Sequence, residues 1–130
     1  MKTLCIKGMV FSGKGEGAKF IELPWVRKQI TEKLGFTPHP GTLNIKLTRE
    51  SLKLRTLLGK TGAIEISPAA GFHRGRCFKA YLINNLKCAV VIPETPNYPR
   101  DIIELIAPIN LREKLQLRDG DYVQVKILLG

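Results

Sequence analysis

Residues 3–11, TLCIKGMVF, alternate, with Leu4, Ile6, Gly8 and Val10 on one side and Cys5, Lys7, Met9 and Phe11 on the other. This is the two-residue period of a strand. The run stops at Ser12-Gly13-Lys14-Gly15-Glu16-Gly17, three glycines in five residues. Glycine there allows positive φ and close backbone approach, so successive N–H groups can form a nest for phosphate oxygens; a plain hairpin turn has the same composition. The remaining segments must decide between the two.

Those segments read as more short strands. Lys19–Leu23 (KFIEL) is expected to form a second strand, after which Pro24 opens a helix with Val26, Ile30 and Leu34 on one face and Gly35 as its C-cap. Thr37-Pro38-His39-Pro40 is stiff and extended, because residues preceding proline avoid the helical region. It delivers the chain to residues 41–47 (GTLNIKL), where Leu43, Ile45 and Leu47 face a core and Thr42, Asn44 and Lys46 share the opposite face. Residues 48–58 fit either a short helix or a charged excursion, and residues 61–66 begin another strand. Residues 77–83 and 86–92 flank Asn84-Asn85, the strongest hairpin signal here, since Asn tolerates the positive φ of a type I′ turn.

Thr95-Pro96-Asn97-Tyr98-Pro99 is too proline-rich for a sheet centre. It precedes Ile102-Ile103-Glu104-Leu105-Ile106, an apolar run carrying one carboxylate. Pro108 is expected to start a short helix through Leu115, and Asp119-Gly120 turns the chain into a last strand over residues 122–128. Seven or eight short strands, two clear helices and no repeating β-α-β spacing argue for a mainly β protein, a small closed barrel with a few short peripheral helices. At 130 residues the chain is expected to be a single domain, residues 1–130.

The three cysteines, at 5, 77 and 88, lack metal-binding spacing and are expected to be buried thiols; His39 and His73 give little support for zinc. No secretory leader or membrane-spanning run is visible, so a cytoplasmic protein is expected. The net charge of +10 favours an anionic partner without naming it, and the spread of Lys and Arg along the chain also fits a solvated surface.

Gly13 to Ala18 satisfies the letter of the dinucleotide fingerprint, but that fingerprint needs a helix within a βαβ unit, and the Walker A ending Gly-Lys-Ser/Thr is missing. What remains is a cationic phosphate cradle in which Lys14 supplies charge. Thr42 and Asn44 offer a hydroxyl and an amide oxygen from one strand face, hard ligands that suit Mg²⁺. Neither histidine lies in a local motif that would make a nucleophilic triad.

Residues 12–17, 41–47, 102–113 and 117–121 together resemble the archaeal CTP-dependent riboflavin kinases, in order and over nearly the whole chain. The resemblance implies a cradle-loop β-barrel that transfers the γ-phosphoryl of CTP to the 5′-hydroxyl of riboflavin. It implies nucleotide contacts from Lys14, Gly15, Glu16, Gly17, Ala18 and Lys19 and, at the cytidine end, from Ile109, Asn110, Leu111 and Arg112. It further implies Mg²⁺ at Thr42 and Asn44, and flavin contacts from Glu104 and from Thr95 or Pro96, Pro96 standing where the family carries a threonine. Glu104 is a candidate proton acceptor or flavin anchor. Riboflavin and CTP are then the expected partners of a monomer. The last third alone also resembles swapped-hairpin DNA-binding regulators, the competing reading, although such proteins have no use for the glycine loop or the Thr-x-Asn pair.

Overall fold

Leu4, Ile6, Gly8 and Val10 do face inward together, on the strand β1 (Lys2–Phe11). The computed structural model describes residues 2–67, 69, 71 and 73–129. After β1 come α1 (Glu16–Glu22), α2 (Pro24–Leu34), β2 (Leu43–Leu47), α3 (Arg49–Lys60) and β3 (Ile64–Ile66). They are followed by β4 (Gly75–Leu82), β5 (Leu86–Pro93), β6 (Ile102–Ile106), α4 (Leu111–Lys114) and β7 (Tyr122–Leu129).

Six strands pair in the order β4-β5-β6-β2-β1-β7, and β4 also pairs with β7 at Ala80↔Ile127 and Tyr81↔Lys126. That pairing closes the ring into an antiparallel barrel, as the short-strand pattern leads one to expect. Strand β3 adds to β4 outside the ring. Leu82 pairs with Leu86, so β4 ends one residue short of the expected Ile83 and the hairpin loop is three residues, Ile83–Asn85, rather than a two-residue type I′ turn; Asn84 and Asn85 both take φ of 60°, the left-handed region expected of them.

Alternation splits the apolar side chains into two cores. Phe78, Ala80, Cys88, Val90, Ile103 and Leu105 fill the barrel with the inward residues of β1, β2 and β7. Cys77, Ala89, Val91 and Ile106 point outward on the same strands and are covered by Ile21, Val26, Ile30 and Leu34 of α1 and α2. Strands buried on both faces show continuous apolar runs rather than alternation, hence the Ala89-Val90-Val91-Ile92 stretch. Each fully buried aliphatic side chain contributes about 1.5–3 kcal/mol, so the α1–α2 layer is held firmly over β4, β5 and β6.

Four further expectations need correction. Residues 19–22 are helical, not a strand: Gly15, at φ 82°, turns the chain into α1, and Gly17 and Ile21 are buried one helical turn apart. Leu23 is extended before Pro24 and separates α1 from α2. A helix therefore does follow the glycine loop, and the dinucleotide fold is excluded instead by the antiparallel pairing of β1 with β2. The helix expected from Pro108 begins at Leu111, where the Asn110 side chain accepts from the Glu113 N–H and caps it. Cys5 is exposed, on the outward face of β1; Cys77 and Cys88 are buried.

Residues 48–58, open between two readings, form most of α3, with Thr48 as the N-cap accepting from Ser51 N–H. Gly35 ends α2 at φ 81°, as read from the sequence.

Candidate functional site

Strand register assembles the site. Phe11 of β1 lies opposite Asn44 of β2, and Asn44 lies opposite Glu104 of β6. Their neighbours Ile45, Ile103 and Leu105 fill the barrel, so Asn44 and Glu104 point outward, toward the loop between β1 and α1.

The glycines of that loop are explained by what faces them. A Cβ on Gly13 would stand 2.8 Å from the Asn44 amide oxygen, and one on Gly17 would penetrate the Glu104 carboxylate. Gly17 is therefore required because a carboxylate held by two hydrogen bonds rises against the loop backbone, whereas a side chain at Gly13 would make the Asn44 amide shift. Gly15 has open space and supplies the left-handed turn.

Glu104 is only 4 % exposed and both its oxygens are engaged. Thr42 Oγ1 donates to Oε1 at 2.6 Å, and the Tyr98 hydroxyl donates to Oε2 at 2.7 Å. A buried carboxylate needs such partners, since an unsatisfied charged acceptor is costly. Thr42 is placed by the stiff segment before it, which the His39 N–H pins to the Ala107 carbonyl at 2.7 Å. With its proton directed at Glu104, the Thr42 oxygen keeps its lone pairs for an incoming cation.

Two cavities meet at this carboxylate, and another opens beside Thr42, its hydrogen-bond partner. One, of about 180 Å³, lies between residues 39–42 and Ile109, Asn110, Leu111 and Arg112. A second, of about 380 Å³, is lined by residues 11–14 with Asn44, Tyr98 and Glu104. The third, of about 270 Å³, is walled by Phe20, Leu23, Pro93 and Thr95, with Lys19 at its side. The second and third share Gly17, Tyr98 and Glu104.

The residues expected at the site are thus distributed in an orderly way. Lys14, Gly17, Asn44 and Glu104 share the second cavity, Thr42 and residues 109–112 the first, and Lys19 and Thr95 the third. Gly15, Ala18 and Pro96 line none of the three. The side chain of Glu16 lies outside the described atoms.

Arg112 ties the cavities' rim together. Its guanidinium donates to Asp119 at 2.9 Å and to the Phe11 carbonyl at 3.3 Å, and the Ser12 hydroxyl donates to Asp119 at 2.8 Å. The Ser12 hydrogen bond, then Arg112, holds the Asp119 carboxyl below the ordinary 3.8. The start of the glycine loop is thereby fastened to α4 and to the turn before β7.

Sequence reading missed Tyr98 and the Ser12–Asp119–Arg112 group. Pro96 and Asn97 are the central residues of a turn closed by Tyr98 N–H to the Thr95 carbonyl at 3.3 Å, with Asn97 at φ 68°. A Thr-Pro-Asn-Tyr turn signal was present, but nothing in it reveals that the tyrosine folds back onto Glu104.

Among the described residues no three His, Cys, Asp or Glu side chains gather as a metal cluster. A hydroxyl and an amide oxygen beside a carboxylate still make a hard-oxygen set that fits Mg²⁺, an ion that draws its other ligands from water and phosphate. No helix among the described residues is long and apolar enough to cross a membrane.

Comparison with known proteins gives a consistent result. The family model CTP-dep_RFKase, described as Domain of unknown function DUF120, matches residues 10–127. A riboflavin kinase of Archaeoglobus fulgidus is 44% identical over 98% of this chain and 56% of its own length. One of Methanosarcina barkeri is 44% identical over 98% of this chain and 58% of its own. One of Pyrobaculum aerophilum is 50% identical over 94% of this chain and 60% of its own. The chain thus spans somewhat more than half the length of these relatives.

Proposed function

We propose that this chain, which belongs to the CTP-dependent riboflavin kinase family, transfers the γ-phosphoryl group of CTP to the 5′-hydroxyl of riboflavin, giving FMN and CDP. The observation that carries the proposal is the meeting of two cavities at Glu104, one edged by the cationic glycine loop and one largely apolar, with another beside its partner Thr42. An anionic donor and a flat aromatic acceptor can then approach one point from different sides.

Phosphoryl transfer needs little covalent help from protein; positioning and charge neutralisation supply most of the catalysis. In this reading Lys14 and the backbone N–H groups of the glycine loop neutralise the phosphates in the second cavity. Residues 109–112 receive the cytidine end in the first. The isoalloxazine ring lies against Phe20 and Leu23 in the third, near Thr95 and Pro96. Glu104 anchors the ribityl chain and accepts the proton of the attacking hydroxyl.

Thr42 and Asn44 would hold Mg²⁺, which when bound supplies charge neutralisation at the transferred phosphoryl. Glu104 takes the Thr42 proton, so the Thr42 oxygen would have lone pairs available to hold the ion. The closed ring of strands leaves no barrel edge for a partner to complete, and we take residues 1–130 to work as one monomeric, cytoplasmic barrel domain.

The test is riboflavin phosphorylation with CTP and ATP side by side in the presence of Mg²⁺. FMN formed with CTP in preference to ATP is expected; no FMN from either triphosphate would end the kinase reading. Salt-sensitive duplex DNA binding in its place would favour the regulator.

A further inference from the structure

The second and third cavities share three residues, Gly17, Tyr98 and Glu104, which form the partition between them. Gly17 cannot supply movement, because its backbone is pressed against the carboxylate and it lies on α1, which Ile21 anchors in the outer core. Glu104 is nearly fully buried on a central strand. Tyr98 alone stands on a loop and is only partly buried. Its hydroxyl occupies Glu104 Oε2, at 2.7 Å, while Oε1 is taken by Thr42.

We infer that Tyr98 is the gate between the two cavities, and that its hydroxyl holds the place on Glu104 Oε2 that a hydroxyl of the acceptor's polyol chain takes over on binding. This rests on the kinase reading above. An acceptor whose ring sits in the apolar cavity must pass its polyol chain through the partition to reach the phosphates. The Tyr98 ring swings outward as the chain enters, and the carboxylate exchanges one hydroxyl donor for another, so it is never left unsatisfied. Acceptors without a hydroxyl-bearing chain have nothing to exchange and leave the gate shut.

The experiment measures riboflavin binding to the full chain without nucleotide, by quenching of flavin fluorescence, for wild type and Tyr98→Phe. Phenylalanine keeps the ring and removes the competing donor, so affinity is expected to rise about 3- to 10-fold. A lesion that merely loosened the loop would weaken binding instead. Unchanged or weaker binding overturns the gate. As a second measurement, 3-fluorotyrosine labelling of the three tyrosines gives ¹⁹F resonances, and the one missing in Tyr98→Phe is expected to shift with riboflavin and to stay put with lumichrome, which lacks the polyol chain. An unmoved resonance also overturns it. Wild type that binds no riboflavin at all overturns the kinase reading, and the gate with it.

Discussion

Gly17 lies with its backbone against the carboxylate of Glu104, so closely that a Cβ on Gly17 would come within 2.7 Å of Oε2 and closer still to Oε1. The carboxylate cannot step aside, because Thr42 and Tyr98 hold its two oxygens. Gly17→Ala is therefore expected to displace α1 or break one of these hydrogen bonds, costing about 1–3 kcal/mol in chemical denaturation and most of the turnover. Gly15→Ala meets no neighbour and strains only φ. Equal loss of turnover in both variants would show that close approach to Glu104 is not what selects Gly17.

Glu104→Gln removes the charge and turns one acceptor into a donor facing Thr42 or Tyr98. About 1–3 kcal/mol of stability should go with it, together with a large fall in kcat. If turnover and riboflavin affinity both survived, Glu104 would be neither flavin anchor nor proton acceptor.

Thr42→Ala with Asn44→Ala should lower turnover by at least roughly 100-fold while the barrel stays folded, at a cost of about 1–3 kcal/mol for the hydrogen bond that the buried Glu104 loses. The barrel survives because Leu43, Ile45 and Leu47 hold β2 in its core, to which neither polar side chain belongs. A titration with Mg²⁺ separates this from a general defect, since the residual activity should need far more of the ion.

The barrel strands could be read from the sequence because their pattern is local. Leu43, Ile45 and Leu47 alternate cleanly, and Asn84-Asn85 carries its turn in its own chemistry. Helix α1 could not, since residues 19–23 are too few to separate a period of two from one of 3.6, and Gly17, half of its buried pair, has no side chain to mark a face. Glu104 stood out as a lone carboxylate in an apolar run. Its partners did not, because Thr42 and Tyr98 reach it only through the pairing of β2 with β6 and through a loop that folds back. The glycine loop looked like an anion nest; Gly17 is there also to admit Glu104, a reason that lies in a distant strand.

Asp119 ties acid stability to the rim of the site. Ser12, then Arg112, lowers its carboxyl below 3.8 in the folded chain. A depressed carboxylate stabilises the fold at pH values above its unfolded pKa, and that contribution is lost as pH falls through the lower, folded value. Asp119→Asn should therefore differ from wild type most at about pH 7 and least near about pH 2–3. Urea midpoints at the two pH values check this, and a gap that widened in acid would contradict it. The group is exposed, so the effect should be small and should shrink with added salt.

The cysteines report separately on the two cores. Burial pushes the Cys77 and Cys88 thiols up to about 12, so near pH 8 only roughly one in ten thousand is thiolate. Cys5 is exposed. Iodoacetamide should therefore modify one thiol in the native protein and all three after denaturation, counted by mass spectrometry. Cys77 lies under the α1–α2 layer and Cys88 inside the barrel. Helices on one face can lift while the closed ring of strands remains paired, since local opening needs only the contacts it breaks. In mild denaturant Cys77 should accordingly be alkylated before Cys88, and a saturating flavin that packs against Phe20 and Leu23 should slow Cys77 alone. Simultaneous modification would mean that the helical layer and the barrel unfold as one unit.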